Sequence, residues 1–146
     1  MARTRILLAE DHDKMRDRVK RLLERDFEVV DSVENGLALL EAASRLKPDV
    51  CVLDISMPFL NGIETATRLR QSGSTAKIVF LTIHEDVDFV QAAMETGASG
   101  FVIKRRMVSE LRRAIKEALA GRIFVSSSIA PDGKPGQNGE TPLSRS

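Results

Sequence analysis

Three acidic residues, a threonine and a lysine stand directly after short apolar runs. Glu10 and Asp11 follow Ile6 to Ala9, Asp54 follows Val50 to Leu53, Thr82 follows Ile78 to Leu81, and Lys104 follows Phe101 to Ile103. Gathered at one edge, three ionised carboxylates about 5 Å apart would repel by roughly 3 kcal/mol per pair at an effective dielectric near 20. Such a cluster protonates, spreads apart or takes a cation. A hard divalent ion suits a site of few carboxylates, a backbone carbonyl and retained waters, which points to magnesium (Mg²⁺), with Asp11 and Asp54 as direct ligands and Glu10 holding a bound water. An ion beside a carboxylate, with an ammonium and a hydroxyl opposite, is what phosphoryl transfer demands, because charge on the equatorial oxygens must be neutralised from several sides. Asp54 is then the candidate nucleophile, forming an acyl phosphate, and Thr82 and Lys104 would each hold a phosphoryl oxygen. Singly, an aspartate at a strand end is usually a turn or cap residue and a lysine is usually solvated, so the chemistry rests on joint placement.

The elements that must position these residues are legible as an alternation. Strands are expected at Ile6 to Ala9, Phe27 to Val30, Val50 to Leu53, Ile78 to Leu81 and Phe101 to Ile103. Between and after them run helical stripes: Met15, Val19, Leu22 and Leu23, then Leu37 with Leu40, Ile63 with Ala66 and Leu69, Val87 with Val90 and Met94, and finally Leu111, Ile115, Ala118 and Leu119. Asn61 with Glu64 predicts a capping box, and Gly97 and Gly121 predict the stops of the fourth and fifth helices. Five strand–helix units whose strands are apolar throughout imply a doubly wound α/β fold: a five-stranded parallel sheet with five helices on its two faces. The strand order 2-1-3-4-5 is taken from the common fold of this type. In such sheets ligands bind beyond the carboxyl ends of the strands, where the five residues above are placed.

The composition narrows the function classes. A chain of 146 residues with 42% hydrophobic content fits one domain, and 22 Lys and Arg against 21 Asp and Glu leave a net charge of +1, with no long-range field toward nucleic acid or anionic lipid. No apolar run approaches the roughly 20 residues needed to span a bilayer, so no membrane association is expected, and the protein is expected to be soluble and cytoplasmic. The single cysteine, Cys51, forms no internal disulfide and is expected to be inert core. Trp and Tyr are absent, which argues against stacking platforms for single-stranded nucleic acid. The domain is assigned to residues 1–125, and residues 126–146, rich in Gly, Pro and Ser, read as a flexible linker or tail.

Five segments together resemble the receiver domain of two-component response regulators: Ala9-Glu10-Asp11-His12, Leu53-Asp54-Ile55-Ser56-Met57-Pro58 with Asn61-Gly62, Leu81-Thr82, and Gly100-Phe101-Val102-Ile103-Lys104. The resemblance covers about residues 4–125 and implies a flavodoxin-like receiver fold. It implies that Asp54 accepts a phosphoryl group from a histidine kinase, with Mg²⁺ held by Asp11, Asp54 and the Ser56 carbonyl, and that water later removes it. It also implies a switch in which Thr82 turns toward the phosphoryl group and Phe101 moves inward, altering the surface of helix 4, strand 5 and helix 5. Phe101 as plain core is the competing reading. Two positions depart from the family pattern: Phe59 stands where glycine is frequent, and Arg105 follows Lys104 where proline is usual. A trans Lys104–Arg105 peptide is expected, since a cis bond without proline costs about 2.5–4 kcal/mol.

Asp54 to Pro58, Leu81 to Asp86 and Gly97 to Gly100 resemble the branch whose receivers precede a LuxR-type helix-turn-helix, and Leu143-Ser144-Arg145 resembles the start of that domain. This implies a transcriptional output, with DNA contacted only through a C-terminal domain absent from this chain. A single-domain receiver acting through protein contacts is the alternative. Arg105, Arg106, Arg112, Arg113 and Lys116 cluster near the last helix, but Glu110 and Glu117 interleave them, so a solvated face, a homodimer contact or an output-domain contact is expected there rather than nucleic acid. His12 and His84 lack metal-ligand spacing and read as surface residues. Two other classes fit less well. An aspartyl-phosphate phosphatase would want a second aspartate where Ser56 stands, and a flavodoxin-like binder would not place Glu10-Asp11-His12-Asp13 where a phosphate loop is needed. A scaffold that is never phosphorylated would not require the full set of five residues.

Overall fold

The computed structural model describes residues 3–126. Six strands and five α-helices alternate: β1 (Arg5–Ala9), α1 (Asp13–Leu23), β2 (Glu28–Val33), α2 (Gly36–Leu46), β3 (Val50–Leu53), α3 (Gly62–Gln71), β4 (Lys77–Thr82), α4 (Val87–Glu95), β5 (Gly100–Ile103), α5 (Met107–Leu119) and β6 (Phe124–Val125). A single 3₁₀ turn, Lys104–Arg106, joins β5 to α5. All pairings are parallel, in the order β2-β1-β3-β4-β5-β6. The expected order is therefore present, extended by a sixth strand too short to register as a periodic run.

Period-two alternation along the strands splits the core into two layers. Leu7, Ala9, Cys51, Leu53, Ile78, Phe80, Phe101 and Ile103 face α2, α3 and α4. Ile6, Leu8, Val50, Val52, Val79, Leu81 and Val102 face α1 and α5. Burial on both sides explains why the interiors of these strands are continuously apolar, with Arg5, Lys77 and Thr82 confined to strand ends. The exception is β2, an edge strand whose residues are half-buried or exposed; it runs to Val33, beyond the apolar run, and carries Asp31 and Ser32.

Helix ends follow local chemistry. The Asn61 side chain accepts from the Glu64 N–H, and Glu64 returns a bond to the Asn61 N–H, completing the expected capping box. Gly97 and Gly121 take φ values of 88° and 83° just past α4 and α5. The helical stripes fit less evenly. Leu119 is 41% exposed, Leu37 50% and Val87 72%, because the buried ridges run through Ala118, Leu39 and Ala93 instead. None of the described helices is long and apolar enough to cross a membrane.

Candidate functional site

The parallel ladder delivers the predicted residues to one edge. Ala9 pairs with Leu53, and the chain continues in register: the Asp54 N–H donates to the Ala9 carbonyl at 3.1 Å and the Glu10 N–H to the Val33 carbonyl at 3.0 Å. Thr82 pairs with Ile103, the residue before Lys104. Gly62 supports the same corner from α3. Its N–H donates to the Ile55 carbonyl at 2.7 Å, and a Cβ there would stand 2.1 Å from the Asp54 carbonyl oxygen, so only glycine permits this approach.

Lys104 crosses the edge to bridge two carboxylates. Its Nζ lies 2.7 Å from Glu10 Oε1 and donates to Asp54 Oδ2 at 2.9 Å. The lysine side chain is 10% exposed and the two carboxylates 1% and 4%. The contact with Glu10 is an ion pair off the hydrogen-bond direction, which leaves Oε1 without an aligned donor; the buried Asp11 Oδ1 has none either. The second oxygen of Glu10 accepts the His12 N–H at 3.1 Å, and Asp54 Oδ1 accepts the Ser56 N–H at 3.3 Å.

One ammonium between two carboxylates splits their behaviour. Burial pushes Glu10 upward, but Lys104 and the His12 N–H outweigh it and hold this carboxyl below its usual range. Burial dominates at Asp54, where Lys104 only partly offsets it and the Glu10 charge adds to it, so Asp54 is raised. Burial alone would lower Lys104; the two carboxylates outweigh it and raise the ammonium. The site thus holds more negative charge than one lysine neutralises.

The buried Asp11 Oδ1, which has no hydrogen-bond donor, beside the Glu10 carboxylate is a chemical fit for a hard cation. Ligand atoms of Glu10, Asp11 and His12 lie within 4.8 Å of one another. Of that group Glu10 and Asp11 offer carboxylate oxygens; Asp54, expected as a direct ligand beside Asp11, is not part of it and meets the cluster through Lys104. Asp11 and Ser56 also share the wall of an open depression of about 520 Å³ that runs on to Pro58, His84 and Phe89.

The remaining expected residues take distinct places. Thr82 is fully buried, and its Oγ1 accepts the His84 N–H at 3.2 Å; no hydrogen bond joins it to Asp54. Phe101 is fully buried with its ring centroid 6.3 Å from that of Phe80, a placement that fits a core residue and a switch residue alike. His84, read from sequence as a plain surface residue, shares a 2.6 Å hydrogen bond with Ser56 Oγ and stacks on Phe89 at 4.4 Å, bridging the loops after β3 and β4. His12 is 75% exposed yet lies 3.2 Å and 3.3 Å from Glu10 and Asp11. The His84 contacts had no spacing signal, because Ser56 is 28 positions away and is brought to it by the sheet edge, whereas His12 meets Glu10 and Asp11 as their neighbour in sequence.

The two departures acquire physical content. Phe59 adopts φ 71°, and the Leu60 N–H donates to the Pro58 carbonyl at 2.8 Å across it, closing a tight three-residue turn that would suit glycine. No cis peptide occurs among the described residues, as expected at Lys104–Arg105. Arg105 instead pairs with Glu85 through both guanidinium arms. The basic cluster is partly matched: Arg106 pairs with Glu110, Arg112 and Lys116 with Asp26, and Arg113 lies over the Phe124 ring at 5.3 Å. Three carboxylates thus face the five cations, with Arg112 and Lys116 sharing Asp26, so the face is only partly neutralised.

Comparison with known proteins places the chain as a whole. The chain is 34% identical over 128 residues to the nitrate/nitrite response regulator protein NarL of Escherichia coli strain K12, which covers 86% of this chain and 59% of that protein. It is 35% identical over 126 residues to the transcriptional regulatory protein DegU of Brevibacillus brevis, covering 85% and 53%. The chain therefore spans little more than half the length of these relatives. Among solved structures, a LuxR-family two-component response regulator from Aurantimonas sp. SI85-9A1 superposes with a TM-score of 0.82 at 34% identity, covering 90% of this chain and 92% of that one. A LuxR-family DNA-binding response regulator from Staphylococcus aureus gives 0.75 at 27% identity, covering 78% and 97%. Residues 6–116 match the response regulator receiver domain, and the chain belongs to that family.

Proposed function

We propose that this domain is a phosphorylation-dependent switch in which Asp54 is the phosphoacceptor. A carboxylate oxygen of Asp54 attacks the phosphorus of a phosphohistidine on a histidine kinase, the P–N bond breaks, and the imidazole leaves with its electron pair. Asp54 suits this role because its ionised form is incompletely compensated, so the carboxylate gains from positive charge brought near it. Lys104, already within hydrogen-bond reach, follows the transferred group and neutralises one of its oxygens. Thr82, on the strand beside Lys104, supplies a hydroxyl to another once its bond from His84 is exchanged. Asp11, Asp54 and the Ser56 carbonyl would hold Mg²⁺, with Glu10 retaining a water, and the ion would supply charge neutralisation at the transferred phosphoryl group. Attack of water on phosphorus later releases inorganic phosphate and regenerates the carboxylate.

The observation that carries this reading is the buried Lys104 bridge between Glu10 and Asp54 beside the Asp11 carboxylate, whose buried oxygen has no hydrogen-bond donor. Transfer replaces one buried negative charge by a larger one farther from the backbone, so Lys104 must re-pair, and a two-state element coupled to it shifts population. Moving such an element from 1:99 to 99:1 requires about 5.5 kcal/mol of differential stabilisation. Thr82 and Phe101 are the coupled residues, and the readout is the surface of α4, β5 and α5, available to a second copy or an output domain. The length of the relatives supports a longer regulator in which a C-terminal domain contacts DNA. The test is intact mass after incubation with Mg²⁺ and acetyl phosphate. A phosphoryl adduct on the wild type and none on Asp54→Asn is expected; a folded wild type that takes no adduct refutes the reading.

A further inference from the structure

Ser126 stands where the linker was expected to begin, yet it is fully buried and tied to two elements; the rest of that segment, 127–146, lies outside the described residues. Its N–H donates to the Phe101 carbonyl at 2.9 Å, continuing the β5–β6 ladder. Its hydroxyl accepts the Ile103 N–H at 2.9 Å and donates to Glu110 Oε1 at 2.5 Å. The other oxygen of Glu110, itself only 7% exposed, accepts from Arg106 Nε at 2.7 Å. A hydroxyl that donates and accepts at once thus closes a chain from the last residue of β5, through α5, to the turn that carries Lys104.

The position of this chain matters more than its size. Ile103 lies between Lys104 in sequence and Thr82 in register, and Phe101 is the expected switch aromatic. Ser126 holds the backbone of both Phe101 and Ile103, so β5 cannot shift at its carboxyl end without lengthening a bond to Ser126 or carrying it along. The residue that receives this motion directly precedes segment 127–146 in the sequence.

We propose that Ser126 is a positioning residue: through the Ile103 N–H and Glu110 it couples the state of Asp54 to the seating of β6, and so to the chain that follows. The coupling rests on Asp54 being the phosphoacceptor. Because coupling free energy is reciprocal, phosphorylation must alter how firmly Ser126 is held, and loosening Ser126 must alter phosphorylation.

The experiment is backbone hydrogen exchange on the full chain with Mg²⁺, before and after acetyl phosphate, with intact mass measured on the same samples. In the wild type, adduct formation is expected to change the exchange rate of the Ser126 amide at least threefold, and that change should be missing in Asp54→Asn. Loss of one buried hydrogen bond corresponds to roughly a two- to tenfold shift, so Ser126→Ala should change the yield of adduct at fixed acetyl phosphate by that factor, and Ser126→Thr, which keeps the hydroxyl, should restore it. The wild-type measurement decides the matter even if Ser126→Ala does not fold. An adduct that forms while Ser126 exchange stays unchanged overturns the coupling and leaves the phosphoacceptor reading intact. A folded wild type without adduct removes both.

Discussion

Replacing Lys104 by methionine keeps an unbranched stem one atom shorter and removes the charge that Glu10 and Asp54 share. Both carboxylate oxygens lie within 2.9 Å of the same nitrogen, so they are no more than about 6 Å apart, and two unit charges at that distance repel by roughly 3 kcal/mol at an effective dielectric near 20. Removing one partner from a buried ion pair costs about 3–5 kcal/mol, which agrees with that figure. Lys104→Met is therefore expected to lose about 3 kcal/mol of unfolding free energy near pH 7, read from urea denaturation. The sign of the pH dependence follows from the two carboxyls. In the wild type Glu10 is lowered, so its pairing stabilises the fold above the ordinary glutamate value of 4.5 and is lost as pH falls through the lowered one. Asp54 is raised, so its ionisation removes stability as pH climbs from the ordinary value of 3.8 through the raised one. Without Lys104, one carboxyl can take a proton and end the repulsion, so the deficit should shrink on acidification to about pH 5. Mg²⁺ at about ten times its Kd should restore about 1.4 kcal/mol, because the ion then supplies the missing charge. A loss below about 1 kcal/mol, or one equal at the two pH values, would refute the charge-sharing argument.

Three further outcomes can be measured. Gly62→Ala places a Cβ 2.1 Å from the Asp54 carbonyl oxygen and 2.8 Å from Ile55 Cα, so a fall of about 2 kcal/mol or more in urea stability and slower adduct formation from acetyl phosphate are expected. Phe59→Gly relieves a left-handed aromatic residue that is 82% exposed, and should raise stability by about 1 kcal/mol, seen as a higher urea midpoint at unchanged slope. Burial pushes the Cys51 thiol up to about 12, so iodoacetamide should leave it unmodified in the folded protein near pH 8 and alkylate it rapidly in denaturant.

What the chain determined alone was the alternation and its punctuation. Apolar runs at five strand positions, two strong helical stripes, the Asn61–Glu64 cap and the stop glycines are local signals, because a strand buried on both faces and a helix end each need particular residues within a few positions. Placement of Glu10, Asp54, Thr82 and Lys104 at one edge followed once the sheet was parallel. Tertiary structure decided how those groups share charge. That Lys104 bridges Glu10 and Asp54 is set by strand register and by the turn after β5, which pairs residues dozens of positions apart. The same long-range geometry put His84 on Ser56, left Val87 and Leu119 in solvent, and forced Phe59 into a turn. It also drew Ser126, by composition the first residue of a linker, into the core, because only the folded sheet presents an unpaired Ile103 N–H beside the carboxylate of Glu110.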